Sequence, residues 1–379
     1  MQGQTPGNFD RNWQLVWSDP FNYGNNDVTG FNNMENSQKW VYIESFGNHQ
    51  YKATNTCNNY YAEKAVNKHF PSNGICRLEA NKNAGNYVYP CQYCWATNGG
   101  GINPQSYYFN TTGAQLITRD TFKYGAFELK FRWPDIDLYA NDPNTGIPNI
   151  EKVRGMFPAF WMFPHSPPGP GSQYHEIDFF EMTPHRYNLC GVSILHDINS
   201  NKNARNINKT YKGISEASAF KITDFTNGKY HVVTGEWNPD YVNIYVDGKL
   251  YVSYNWEQDQ LVPMNVYISL GGSTQDATYQ DYCSTSNTLS PYNMDIDYLK
   301  VYKLNASSLT DVNVLSNYNW ASYGITVKKS ITLGGTGGTN NIVPVNTKYS
   351  LRATNFILLG DGFECGASTD FFAMVQKIN

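Results

Sequence analysis

Charge is scarce in this 379-residue chain, and what there is lies scattered. Asp, Glu, Lys and Arg make up 16% of it, with 28 basic against 32 acidic side chains and a formal net charge of −4. No basic run or tail is present, so the counterion-releasing surface on which nucleic-acid binding depends is missing. No stretch approaches the roughly 18 consecutive apolar residues of a membrane-spanning helix. The opening "MQGQTPGNFD" lacks the apolar core of a signal peptide. It fits either a cytosolic N-terminus or a start just behind a removed leader. Helical periodicity is almost absent as well: "NGKYH" and "ISEASAFK" allow a turn or a short helix at most.

Cysteine is limited to seven positions, 57, 76, 91, 94, 190, 283 and 365. The "CQYC" pair has metal or redox spacing, but no second pair or His cluster accompanies it, which argues against zinc. In an exported protein, a local disulfide or a bridge to Cys57 or Cys76 is the better reading. The odd count leaves at least one thiol over.

Aromatic residues are abundant: 29 Tyr, 20 Phe and 9 Trp. Rings suit β-sheets, and they also suit a groove for a ligand with apolar faces, such as a sugar. Strand patterns dominate, from "WQLVWSDPF" through "YGAFELKFRWP", "HEIDFFEM", "CGVSILHDI" and "NVYISLGG" to "MDIDYLKVYK". The Asp-Gly in "VDGK" marks a hairpin between two of them. Ten or more strands at this spacing predict an all-β fold, a jelly-roll β-sandwich. Long Asn/Gly-rich loops are expected at 23–38, 83–108, 137–152 and 164–174, the kind that shape binding sites on a rigid scaffold. The sandwich is assigned to residues 1–304, a linker to 305–317, and a small C-terminal β module to 318–379. That module carries no catalytic grouping and reads as a structural or anchoring appendage.

"HEIDFFEMTP" at 175–184 puts Glu176, Asp178 and Glu181 into an otherwise buried strand. Charged groups seldom occupy such positions without a function. Glu176 and Asp178 share a face, but simple alternation turns Glu181 away. One extra residue, with Phe179 and Phe180 sharing a single pleat position, resets the alternation and aligns all three acids. A pair of outer Glu residues can then work as a glycosidase does: one attacks the anomeric carbon, while the other protonates the departing oxygen and later activates water. Backbone spacing alone leaves the two roughly 13 Å apart, so sheet curvature and leaning side chains must bring them to about 5–5.5 Å. Three adjacent carboxylates cannot all ionise cheaply. A proton shared between Asp178 and Glu176 and a protonated Glu181 fit the division of labour. The alternatives are a calcium site or a solvated acidic strand.

The order E-I-D-x-x-E, preceded by "RGMFPAFWMFP", resembles glycoside hydrolase family 16 in its branch with a bulged catalytic strand. The resemblance spans about residues 11 to 303. It includes "GNHQY", "FKYGAFELKFRWP", "YHVVTGEWNPDYVNIYVDG" and "DIDYLKVYK". It implies Glu176 as nucleophile, Asp178 as its assisting carboxylate and Glu181 as acid/base. It also implies Trp161 as a platform beneath the sugar, with Asn48 and His196 as further groove contacts. Phe157 stands where many β-1,3-glucan-cleaving members have Trp, and Gln115 where they have Arg, so both touch the choice of polymer. Pro20 replaces a Glu common in the family. A structural calcium on the outer face, with Asp297 as a ligand, is therefore only a secondary expectation, and no cofactor is required. The implied protein is a secreted, monomeric endo-hydrolase of β-1,3- or mixed-linkage glucan. Its runner-up substrates are β-galactans of the agar or carrageenan type. The rivals are a catalytically silent carbohydrate-binding protein on the same sandwich and a structural surface protein.

Overall fold

The computed structural model describes residues 13–41, 59–61, 67–81, 85–89, 105–109, 111–133, 140–141, 143–146, 149–153, 156–164, 175–182, 190–196, 205–211, 227–237, 241–255, 262–272, 291–304, 311–318, 324–345 and 348–375. The chain opens with β1 (Trp13–Asp19), helix α1 (Asp27–Asn36), β2 (Asn59–Tyr61), β3 (Lys68–Ser72) and β4 (Ile75–Ala80). Next come β5 (Gly85–Tyr89), β6 (Gln105–Phe109), β7 (Thr111–Ile117), β8 (Gly125–Arg132) and β9 (Met156–Phe163). β10 (His175–Met182) carries the acids and is followed by β11 (Cys190–His196), β12 (Arg205–Tyr211), β13 (His231–Trp237) and β14 (Tyr241–Val246). β15 (Lys249–Asn255), β16 (Asn265–Gly272) and β17 (Tyr292–Leu304) complete the larger part.

Two sheets form the sandwich. One runs β12-β11-β10-β9-β16-β7-β2, and the other β15-β14-β13-β8-β17-β4-β3 with β1 added on β17. Alternation sorts their side chains. Phe127, Leu129 and Phe131 of β8 face Phe160, Met162, Ile177, Phe179 and Phe180 in one continuous buried core. Each such aromatic or aliphatic side chain contributes about 1.5–3 kcal/mol by leaving water. The Asp-Gly hairpin forms as expected between β14 and β15, with Asp247 and Gly248 both at positive φ. The Asp247 carboxylate also accepts from the Val232 amide at 2.8 Å, tying the turn to β13.

Helix α1 lies inside the stretch 23–38 that was expected to be a loop. Its Asn-rich sequence hides the pattern, yet Asn26 caps it by accepting from the Thr29 amide at 2.9 Å. Gly30, Phe31 and Met34 are its buried residues. A Cβ on Gly30 would lie 2.3 Å from the Phe70 ring, so only glycine lets the helix approach β3 this closely. The expected loop 83–108 likewise contains a paired ribbon, β5 with β6. A 3-10 turn at Asn149–Val153 closes the expected loop 137–152.

An ionic latch fastens α1 to the sheet. Asp27 accepts from the Phe70 amide at 2.8 Å and meets His69 Nδ1 at 2.8 Å, while His69 Nε2 lies 3.5 Å from Glu79. The Glu79 carboxylate, with Asp27, pushes the imidazole up to about 9 against the opposing effect of burial. A folded-state value raised above the unfolded one means that this contribution is complete below the ordinary histidine range and disappears as pH rises through about 9. Thermal unfolding of the wild type should therefore lose stability across that window, and a His69→Asn variant should show no such step. Equal losses in both proteins rule the latch out as the cause.

The tail differs in kind from the sandwich. Its strands are β18 (Asp311–Val314), β19 (Gly324–Leu333), β20 (Asn341–Val343), β21 (Lys348–Leu359), β22 (Phe363–Cys365) and β23 (Asp370–Val375). All pair in parallel, as β18-β19-β21-β23 and β20-β22. The chain therefore winds as stacked coils around its own small core of Ile331, Leu333, Val343, Leu351 and Ala353. β18 falls within 305–317, the stretch read as linker, and its Val312 and Val314 pack on that core. The first coil begins earlier than the composition suggests.

Candidate active site

The irregularity in β10 is present. Against β9, Asp178 pairs with Trp161 and Phe180 with Phe160, which leaves Phe179 without a partner position. Against β11, Asp178 faces Ser193 and Glu181 faces Gly191, so the two phenylalanines share the single position of Val192. Both rings are fully buried. Phe179 stacks on Phe127 with centroids 5.6 Å apart, and Phe180 lies 5.2 Å from Phe131. Room for the extra ring comes from the opposite sheet, where a Cβ on Gly235 would sit 2.1 Å from Phe179. The core thus takes two consecutive side chains, and the next residue, Glu181, turns back to the face of Glu176 and Asp178.

All three carboxylates offer oxygen atoms within 4.8 Å of one another. Asp178 is buried, at 1% exposure, between the half-buried Glu176 and Glu181. The arrangement gives one enclosed acid flanked by two that solvent or a ligand can reach.

Two rows of cross-strand neighbours extend the site. In the first, Asp178, Trp161, Tyr267 and Ile117 stand side by side on β10, β9, β16 and β7. The second row is Glu181, Ala159, Ser269 and Gln115 on the same strands. Trp161 is half-buried on the acid face, whereas Phe160 is in the core. The Trp161 ring stacks on Tyr267 at 4.2 Å and 25°, and its Nε1 donates to Ser269 Oγ at 3.3 Å. Ile117, Phe163, Tyr267, Val41 and Trp161 form a separate apolar cluster on this face. Burial, with the Glu176 carboxylate adding to it, pushes the Tyr267 phenol far above its ordinary value, so it stays neutral.

The remaining expected residues are less close to the acids. Gln115 is half-buried, three strands or roughly 14 Å from Glu181 at the usual strand spacing. Phe157, also half-buried, is opposite Gly271 and two residues from Ala159 on the same side of β9. His196 pairs with His175 along β11, one step beyond Glu176 and its partner Leu195. Asn48 and the "CQYC" pair lie outside the described residues. Cys76 is a free, buried thiol on β4, which removes it from the candidate disulfides.

Asp297 has a different partner from the one expected. Lys130 Nζ lies 2.6 Å from its carboxylate, and the neighbouring Asp295 is held by Arg77 and Arg132. Calcium takes six to eight oxygen ligands, and a position already neutralised by an ammonium group does not fit one. Among the described residues, the only grouping of three or more His, Cys, Asp or Glu able to share an ion is the trio on β10.

A largely antiparallel sandwich that turns three converging carboxylates and a tryptophan to one face has the make-up of a glycoside hydrolase. The sequence profile described as glycosyl hydrolases family 16 matches residues 58–299, well over half of the chain, and the chain belongs to that family. It is similar to a beta-glucanase from Rhodothermus marinus, 24% identical across 77% of this chain and 85% of that protein. It is equally similar to a keratan-sulfate endo-1,4-beta-galactosidase from Sphingobacterium multivorum, 24% identical across 82% of this chain and spanning 60% of that protein. Among solved structures, SCLam, a non-specific endo-beta-1,3(4)-glucanase of the same family, shares the fold with a TM-score of 0.50 at 20% identity. The match covers 79% of this chain and 95% of that one.

Proposed function

We propose that this chain is a secreted, endo-acting, retaining glycanase that cleaves internal β-linkages of a β-1,3- or mixed-linkage glucan. The observation that carries this reading is the mutual approach of the three carboxylates to within 4.8 Å. Double displacement uses carboxyl groups about 5–5.5 Å apart, whereas inversion needs about 6.5–9.5 Å to admit a water. Glu176 attacks the anomeric carbon while Glu181 protonates the glycosidic oxygen, and the leaving half of the polymer departs with that proton. Water, deprotonated by Glu181, then attacks the glycosyl ester and frees Glu176. Asp178, enclosed between them, fixes the orientation and charge of Glu176. Trp161 supplies the apolar floor for the sugar beside the broken bond. A polymeric substrate too large to enter a cell supports action outside it.

The glucan assignment is supported by the resemblance to the Rhodothermus marinus beta-glucanase. A galactan is the second reading, because the galactosidase relative is equally similar and Phe157 and Gln115 depart from the glucan-cleaving pattern. A reducing-end assay on laminarin, lichenan, agarose, carrageenan and keratan sulfate decides between them. We expect the largest release from laminarin or lichenan, with a rapid fall in viscosity and β-configured ends appearing first. Ends of α configuration overturn double displacement. Release from the galactans alone overturns the glucan, and release from none favours a silent carbohydrate-binding protein.

A further inference from the structure

Tyr267, the neighbour of Trp161 in the first row, has no role in the chemistry described above, yet its position is unusual. It is fully buried on the acid-bearing face rather than in the sandwich core. Its strand alternates Val266, Ile268 and Leu270 into the core with Asn265, Tyr267 and Ser269 toward the acids. A tyrosine at 0% exposure beneath a half-exposed tryptophan is covered by it, so Trp161 rests on Tyr267 as on a seat. The Ser269 hydroxyl, two residues on, receives the indole N–H at 3.3 Å and fixes the rotation of the ring about that seat. The two contacts constrain different motions: stacking sets the tilt of the platform, and the hydrogen bond sets its heading.

We propose that Tyr267 is a positioning residue whose ring seats Trp161 on the acid-bearing face. Only its effect on KM rests on the hydrolase reading. The ring action concerns how Trp161 is held and is measurable without turnover.

Two substitutions test the seat. Tyr267→Phe keeps the ring and removes the hydroxyl, and KM should stay within twofold of wild type. Tyr267→Leu removes the ring, and loss of an aromatic pair of this kind should raise KM roughly three- to tenfold. Ser269→Ala, which removes the indole's acceptor, should raise KM more modestly. The fluorescence component assigned to Trp161, by difference from a Trp161→Phe variant, should become more accessible to acrylamide in Tyr267→Leu but not in Tyr267→Phe. Circular dichroism and unfolding midpoints establish that each variant is folded. Unchanged quenching in folded Tyr267→Leu, or quenching in Tyr267→Phe raised as far as in Tyr267→Leu, overturns the seat. If the wild type cleaves none of the polysaccharides, the hydrolase reading falls, and quenching still decides the seat.

Discussion

Glu181→Gln is expected to slow hydrolysis of the natural polysaccharide by about 10²–10⁴-fold, the usual worth of a general acid/base, and Glu176→Gln by at least as much. Glutamine keeps the shape of each side chain and removes the function: at 176 there is no anion to form the ester, and at 181 no proton to give. The two losses differ in how they can be repaired. With alanine at either position there is room for azide. In Glu181→Ala the ester on Glu176 still forms when the leaving group is an activated aryl glycoside, and azide replaces water in opening it. The product is a glycosyl azide with the configuration of the substrate. In Glu176→Ala, azide occupies the place of the missing carboxylate and attacks the anomeric carbon itself, which gives the opposite configuration. The anomer of the azide product, read by NMR, therefore assigns the roles independently of the size of the rate loss. Wild-type rates in either glutamine variant, or azide products whose configurations are exchanged, overturn the assignment of Glu176 as nucleophile and Glu181 as acid/base.

What the chain shows before any coordinates are known is greatest where alternation is broken for a reason. Three acids set among Ile177, Phe179 and Phe180 cannot be a solvated edge, and only a bulge brings Glu181 to the side of its companions; the register of β10 against both neighbours has that form. The choice between Phe160 and Trp161 as the inward residue follows once β9 is in register, since the core takes Phe160. Other features left weaker traces. Helix α1 is short and Asn-rich, and its buried side is little more than Phe31, Met34 and a glycine selected by the nearness of Phe70. Tyr267 reads as one more strand aromatic. Its signal is the polar alternation of Asn265 and Ser269 in a strand otherwise buried on both sides. In the tail, "ITLGG" and "ILLGD" recur at the ends of β19 and β21, which stack in parallel. That repetition marks a coil, whereas the abundance of Gly and Asn suggests only short strands.

Inserting an alanine between Phe180 and Glu181 is expected to abolish hydrolysis and to destabilise the fold severely, whereas deleting Phe179 should spare part of the activity. The asymmetry follows from the bulge. In the wild type, two consecutive residues fill one core position, so removing one restores regular alternation: Asp178 stays on the groove side, a single phenylalanine enters the core, and Glu181 returns to the groove. The deletion costs a buried aromatic, about 3–5 kcal/mol, and leaves a void beside Gly235, where Phe179 now lies. The carboxylates nevertheless remain on one face. The insertion adds a residue that no partner position on β9 or β11 can absorb, and it turns Glu181 toward Phe131 and Phe160. An unpaired carboxylate there faces a large desolvation penalty and either protonates or unfolds the strand. Denaturant titration and reducing-end release on the two proteins test the argument together. A folded deletion variant as inactive as Glu181→Gln, or an insertion variant that still cleaves its substrate, shows that the acids do not owe their common direction to the paired phenylalanines.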